Sequence, residues 1–80
     1  MTSGEAVRAR ILQLCQEHNL TVNRLSSISG ITQSTLNNIV NSRNNSATVS
    51  TIKKICDGLD ITLPDFFNSE LFENLEQEIK

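Results

Sequence analysis

The side chains with the clearest chemical potential are uncharged amides and hydroxyls in a short stretch. Gln33 and Ser34 lie three to five positions before Asn37 and Asn38, so a helix would carry the four on its outward side. An Asn or Gln amide presents one donor and one acceptor, which matches N6 and N7 of adenine in the DNA major groove. Because helix interiors disfavour Asn, its repetition favours base readout. The alternative is a plain solvated face.

Two short amphipathic segments would position these residues. Their apolar stripes comprise Leu25 and Ile28 in the first segment, and Leu36, Ile39 and Val40 in the second. Thr21 and Thr32 are typical N-caps, and Gly30 lies where a helix can end in a left-handed conformation. Residues 21–41 therefore predict a helix-turn-helix, whose second helix, over residues 32–41, can enter the major groove.

Apolar periodicity predicts helices on either side of this motif. Residues 5–18 would bury Val7, Ile11, Leu14 and Cys15, and residues 48–59 would bury Val49, Ile52, Ile55, Cys56 and Leu59. Thr62 and Pro64 indicate the start of a fifth helix, and Phe66 or Phe67 would close the base of the bundle. Residues 1–4 are expected to fray. The fold class is all-α, with five short helices in a domain spanning residues 1–67.

Residues 68–80 predict an extra, acidic C-terminal helix. Leu71, Leu75 and Ile79 form an i, i+4, i+8 stripe that Phe72 joins. This helix either folds back onto its own domain or pairs with its copy in a second subunit. The second alternative makes these four residues the predicted dimer interface, because two DNA half-sites ~34 Å apart require a two-fold dimer.

Length, hydropathy and charge limit the classes of protein to which this chain can belong. Eighty residues form one small domain, without an apolar run long enough for a membrane span or a secretory signal, so a cytoplasmic protein is expected. The formal charge is −2, with −3 in residues 68–80 and +1 in residues 1–67. Phosphate contacts need Lys and Arg, so this balance predicts modest DNA affinity per subunit and reliance on dimers.

No catalytic or metal-binding constellation is readable. Cys15 and Cys56 form no C-x-x-C pair and are expected to be buried, reduced thiols. His18 is the only histidine and has no clustered acids or cysteines beside it. We therefore expect a protein that is not an enzyme and has neither a metal nor a cofactor.

Several runs of sequence together resemble the Cro/cI-type (XRE-like) helix-turn-helix regulators. They are LSSISGITQSTLNNI at 25–39, I-x-x-L-x-x-E-x-x-L-T at 11–21 and TIKKICDGLDITLPDFF at 51–67. The resemblance implies a lambda-repressor-like bundle in which Gln33, Ser34, Asn37 and Asn38 match base-facing positions. It implies DNA-backbone contacts at Thr21, Asn23, Thr32, Arg43, Asn44, Asn45, Ser46 and Thr48.

Two positions have alternative interpretations. Residues 42–47 either form a plain connector or hold Arg43 and its neighbours against the DNA backbone. Arg10 lacks the Glu partner that the family often provides, because Val40 occupies that position. Arg10 is therefore expected to be solvated or to reach a phosphate.

The sequence favours a small repressor-type transcriptional regulator that binds double-stranded operator DNA as a homodimer. The alternative is a protein-interaction module, such as an antitoxin-like partner, whose C-terminal helix docks a second protein. No membrane partner is expected.

Overall fold

A computed structural model of the chain describes residues 1–41 and 47–79. The described residues form five α-helices and one 3₁₀ turn and contain no strand, so the all-α prediction is confirmed. The helices are α1 Ser3–Glu17, α2 Val22–Ser29, α3 Gln33–Asn41, α4 Val49–Leu59 and α5 Leu63–Phe67, and the 3₁₀ turn is Glu70–Phe72. None of the described helices has the length and apolar character that crossing a bilayer requires.

Threonine hydroxyls cap the beginnings of all five helices. Each hydroxyl accepts a backbone N–H from three residues further on, at 3.1–3.2 Å. The capping residues are Thr2, Thr21, Thr32, Thr48 and Thr62. Such a hydroxyl satisfies one of the N–H groups that the first turn leaves without an acceptor. The expectation that residues 1–4 fray is wrong, because Thr2 starts α1 with a full capping box that includes the Glu5 carboxylate.

Three corners of the bundle use the same three-residue device. A left-handed residue ends one helix, an apolar residue follows it, and a threonine caps the next helix. The three examples are Asn19-Leu20-Thr21, Gly30-Ile31-Thr32 and Asp60-Ile61-Thr62, with φ of 54°, 67° and 58° at the first residue. At each corner the apolar residue donates its N–H to a carbonyl five residues back, at 2.8–3.0 Å. This is the Schellman arrangement, which satisfies helix-terminal carbonyls while turning the chain sharply.

One apolar cluster joins the five helices. The predicted inward residues of α1 are buried, and both Cys15 and Cys56 lie in the cluster as free thiols. Removal from water raises the pKa of each thiol, which disfavours the reactive thiolate. One predicted inward residue of α4 is misplaced, because Val49 is 70% exposed at the first position of the helix.

Arg10 is structural, and the expectation that it is solvated or reaches a phosphate is wrong. Its side chain is buried, and Nε donates to the Phe66 carbonyl at 2.7 Å. Nη2 donates to the Asp65 carbonyl at 2.9 Å, and Nη1 donates to Gln13 Oε1 at 2.6 Å. The guanidinium thereby binds two backbone carbonyls in the last turn of α5, of which the Asp65 carbonyl also accepts the Asn68 N–H at 3.3 Å, and fastens α5 to α1.

The predicted C-terminal helix is absent from residues 68–79. After the 3₁₀ turn, Asn74 takes a left-handed φ of 57° and the chain continues without helix. Phe72 leaves the predicted stripe and packs against Phe66 and Phe67, with ring centroids 6.0 and 4.9 Å away. Leu71 and Leu75 are half-buried while Ile79 is 88% exposed, so the predicted dimer-interface residues do not form one face.

The segment nevertheless folds back onto its own domain. The Glu76 N–H donates to the Met1 carbonyl at 3.1 Å, and the Met1 amine lies 4.0 Å from the Glu76 carboxylate. Ser3 Oγ also donates to the Glu78 carboxylate. Residues 76–78 are therefore fastened at the N-terminal end of α1, where the helix dipole favours negative charge.

We predict that Arg10→Ala lowers the free energy of unfolding by about 2–3 kcal/mol, because it removes charged hydrogen bonds to the buried Phe66 carbonyl and the partly buried Asp65 carbonyl. For a domain of this size the melting temperature should fall by roughly 10–20 °C in a calorimetric scan. Arg24→Ala removes an exposed arginine and is the control, with an expected change below about 0.5 kcal/mol. Equal melting temperatures for Arg10→Ala and wild type would contradict this role.

Two capping carboxylates predict acid sensitivity. Hydrogen bonds from the backbone N–H groups of Thr2 and Thr62 hold the pKa of Glu5 and of Asp65, respectively, below the ordinary value. A depressed folded-state pKa gives stability above the unfolded-state pKa, and this stability is lost as the pH falls through the folded-state pKa. The melting temperature should therefore hold from neutral pH to about 5 and fall below about 4.

At pH 7 the double variant Glu5→Gln, Asp65→Asn should have a lower melting temperature than wild type. The two melting temperatures should become equal at acid pH. Glu17→Gln is the control, because among the described residues this carboxylate accepts no backbone N–H. A difference in melting temperature between the double variant and wild type that is the same at every pH would refute the capping role of these two carboxylates.

Candidate nucleic-acid interface

The predicted helix-turn-helix is present over residues 21–41. Helix α2 ends at Gly30, whose φ of 67° is accessible to glycine without steric cost. The Ile31 N–H donates to the Ser26 carbonyl at 3.0 Å, and Ile31 packs against the core at the corner. Thr32 then caps α3 at once, so only a short turn separates the two helices. This geometry fixes the direction of α3 relative to α2.

Burial of one side of α3 determines which side faces solvent. Leu36, Ile39 and Val40 lie in the core, with Leu36 fully buried. The predicted base-contacting residues Gln33, Ser34, Asn37 and Asn38 are all exposed, and so is Asn41. The structure therefore brings the four predicted side chains together on one surface. We call Gln33, Ser34, Asn37, Asn38 and Asn41 the amide face.

Asn41 was not among the predicted site residues. Its spacing predicts an outward position one helical turn beyond Asn37 and Asn38, and it is exposed like them.

The members of the amide face do not point equally far from the core. With about 100° between successive residues, Ser34, Asn38 and Asn41 lie within about 35° of the direction opposite the buried stripe. Gln33 and Asn37 lie about 70–110° from that direction and flank the face. Because α3 carries no charged side chain from Gln33 to Asn41, hydrogen bonding is the chemistry that this face offers.

Predicted DNA-backbone residues occur at the beginnings of three helices. Thr21, Thr32 and Thr48 cap α2, α3 and α4, and all three are exposed. Asn23 is exposed in the first turn of α2. The predicted residues Arg43, Asn44, Asn45 and Ser46 lie outside the described residues. The described part of this set presents helix N-termini, where unpaired N–H groups and the helix dipole favour anions such as phosphate.

Two of the chain's cations are engaged within the protein. Arg10 holds the end of α5, and Lys53 forms an ion pair with Asp57 one turn further along α4. The Asp57 carboxylate raises the pKa of Lys53 through this hydrogen bond. Arg24 and Lys54 are exposed, whereas Arg8 is half-buried. Among the described residues, Arg8, Arg24 and Lys54 are therefore the arginines and lysines that make no side-chain hydrogen bond or ion pair within the protein.

Helix α2 is held against α4 at a crossing of small residues. A Cβ atom at Gly58 would lie 2.7 Å from Ser29 Oγ, 3.0 Å from the Ile28 carbonyl oxygen and 3.1 Å from Ser29 Cα. Glycine is a poor helix former, and this close approach supplies the reason for it at position 58. Its lack of a side chain lets α4 support α2, which in turn carries α3.

A groove of about 710 Å³ runs between α1 and residues 68–74, with Gln13, Glu17, Glu70 and Leu71 among its lining residues. No residue of the amide face lines it. In residues 1–41 and 47–79, no group of three His, Cys, Asp or Glu side chains is arranged to hold a metal ion.

Comparisons with known proteins agree with this architecture. Residues 10–70 match the family model of the Cro/C1-type HTH DNA-binding domain. Among solved structures, the chain is similar to the crystal structure of the prophage Lp1 protein 11, with 38% sequence identity and a TM-score of 0.78. That similarity covers 86% of this chain and 91% of the other. The comparison with curated proteins finds no match.

We predict that Gly58→Ala lowers the free energy of unfolding by about 1–2 kcal/mol, although alanine is the better helix former. The added methyl would force α2 and α4 apart at two backbone atoms as well as at the Ser29 hydroxyl. Chemical denaturation would measure the loss.

Lys54→Ala is the control for Gly58→Ala because it places alanine at an exposed position of the same helix. The double variant Gly58→Ala, Ser29→Ala should recover only part of the lost free energy of unfolding, since the two backbone contacts remain. A stabilising effect of Gly58→Ala alone would contradict the close approach.

Proposed function

Since the chain belongs to the Cro/C1-type helix-turn-helix DNA-binding domain family, we propose that it is a repressor-type transcriptional regulator. In this proposal α3 enters the major groove of double-stranded operator DNA and reads base edges with the amide face. The chain acts by occupying its site and excluding polymerase. The prophage Lp1 protein 11, a structural relative, comes from a phage genome by its name, which suits a small regulator of this kind.

The orientation of α3 is the observation that carries the proposal. Its apolar side is committed to the core, so four predicted base-reading residues are presented together to solvent. Neutral amides and hydroxyls suit base readout, because they satisfy donors and acceptors of base edges and need no charge partner. The capped N-termini of α2, α3 and α4 supply N–H groups for phosphate contacts that fix register.

We propose that the operator carries two half-sites and that the protein binds them as a homodimer. The support is the general geometry of this motif, in which a two-fold dimer spans half-sites about 34 Å apart. Leu71, Phe72, Leu75 and Ile79 would not form a coiled interface, because no helix aligns them. The competing protein-interaction hypothesis depended on the same helix and has no support from the described residues.

Selection of duplexes from a random pool tests this function. Wild type should enrich a palindrome, whereas the variant with Gln33, Ser34, Asn37 and Asn38 all changed to alanine should lose sequence preference. Its affinity for the enriched duplex should fall by roughly 1,000-fold or more, to the non-specific level. All four residues are exposed and alanine favours helix, so the variant should melt at or above the wild-type temperature.

Gln77→Ala removes an exposed amide from the C-terminal segment and is the control, with unchanged binding expected. Failure of wild type to enrich any sequence would overturn the function. Enrichment of the same palindrome by the quadruple variant would instead show that α3 is not the reader.

The same duplex should show a shallow dependence on salt. Of the cations in residues 1–67, Arg10 and Lys53 are engaged internally, which leaves Arg8, Arg24, Arg43 and Lys54. At most about four phosphates per subunit are then neutralised, and log Kd should change by no more than roughly 3.6 per tenfold change in salt per subunit. A much steeper slope in titrations from 50 to 200 mM salt would contradict this assignment of cations.

A further inference from the structure

Asn38 differs from the other amides of α3 in direction and position. It lies within about 30° of the line that points directly away from the core, whereas Gln33 and Asn37 flank that line. Asn41 points outward too, but it is the last residue of α3. Recognition helices of this motif contact bases through their N-terminal residues. Asn38, the sixth of the nine residues of α3, is the outermost amide of the helix and lies nearer its N-terminus than Asn41, the other outward amide.

Helix α3 itself contains no competing base reader of another class. Every residue of α3 is described, and none carries a positive or negative charge. The commonest guanine contact comes from Arg or Lys, and a carboxylate is the usual acceptor for cytosine N4. The neighbour one turn before Asn38 is Ser34, whose short hydroxyl accepts or donates with any base.

We propose that Asn38 is the principal specificity-determining residue of this chain and that the base it reads is adenine. The inference rests on the proposed function and specifies the substrate of that same surface. The operator half-site then contains an adenine whose N6 amino group donates to Asn38 Oδ1. Asn38 Nδ2 donates to N7 of the same base.

The discrimination follows from the pattern of donors and acceptors. Guanine presents two acceptors, O6 and N7, so one of them would face the amide oxygen with no hydrogen between them. Thymine and cytosine each present one polar group to the major groove, which leaves half of the amide unsatisfied. A bidentate pair of this kind discriminates against other bases by roughly 5- to 150-fold.

The test uses duplexes enriched from the random pool, in which each adenine in turn is replaced by 7-deazaadenine. This base pairs normally but lacks the N7 acceptor. Wild type should lose affinity at one position per half-site, and Asn38→Ala should lose no further affinity on that same duplex. Asn37→Ala, the flanking control, should lose the same factor on the modified as on the unmodified duplex.

A second variant keeps the shape of the side chain. Asn38→Asp is isosteric and turns the donor into an acceptor, so repeated selection should replace the adenine with cytosine, whose N4 group donates. Thermal melts should show both Asn38 variants folded, because the side chain is exposed on the helix surface.

The outcomes separate the two proposals. An enriched palindrome in which no adenine couples to Asn38, or in which 7-deazaguanine produces the coupling, overturns this inference and leaves readout by α3 intact. Absence of any enriched sequence overturns the proposed function, and this inference with it.

Discussion

The rotation of α3 about its own axis is the constraint on which the candidate interface depends. Burial of a Leu, Ile or Val side chain contributes about 1.5–3 kcal/mol, so Leu36, Ile39 and Val40 together favour the observed rotation by roughly 5–9 kcal/mol. The intrinsic cost of each asparagine in a helix is under about 1 kcal/mol. Packing thus outweighs propensity, and α3 can carry three asparagines because the residues beneath them hold the helix in place.

Charge is arranged so that the strongest electrostatic contacts lie outside that face. The Arg10 guanidinium donates hydrogen bonds to carbonyls of α5, and Lys53 forms an ion pair with Asp57. Glu76 and Glu78 are fastened at the N-terminal end of α1, where the helix dipole and the Met1 amine offset their charge. Two carboxylates of this acidic protein are thus held at the N-terminal end of α1, while α3 itself carries no charge.

Local signals were sufficient for much of the fold and for the candidate site. A threonine before an apolar stripe indicated a helix start at Thr21, Thr32, Thr48 and Thr62, and glycine at position 30 indicated a helix end, because caps depend on residues within one turn. The amide face followed from the same periodicity. The four site residues 43–46 lie outside the described residues, so that part of the prediction stays untested.

Features that depend on distant contacts were not predictable from the sequence. Leu71, Leu75 and Ile79 satisfy a helical template, yet packing of Phe72 on Phe66 and Phe67 and the left-handed Asn74 give a different chain path. The carbonyls that accept from Arg10 lie 55 and 56 positions further along the sequence. Apolar periodicity shows which residues would share a face if a segment is helical, but it does not establish that the segment forms a helix. Where the local helix preference is weak, tertiary contacts determine whether the helix forms.

The crossing of α2 and α4 shows how far packing can override hydrogen bonding in this bundle. Ser29 Oγ is buried and has no hydrogen-bond partner among the described residues, an arrangement that costs about 1–3 kcal/mol. A larger apolar residue would remove that cost but would meet α4 at Gly58, where the two backbones already approach closely. The bundle thus tolerates an unsatisfied hydroxyl at this crossing. The distance between α2 and α4 bears on the direction of α3, because the Gly30 corner joins α3 to α2.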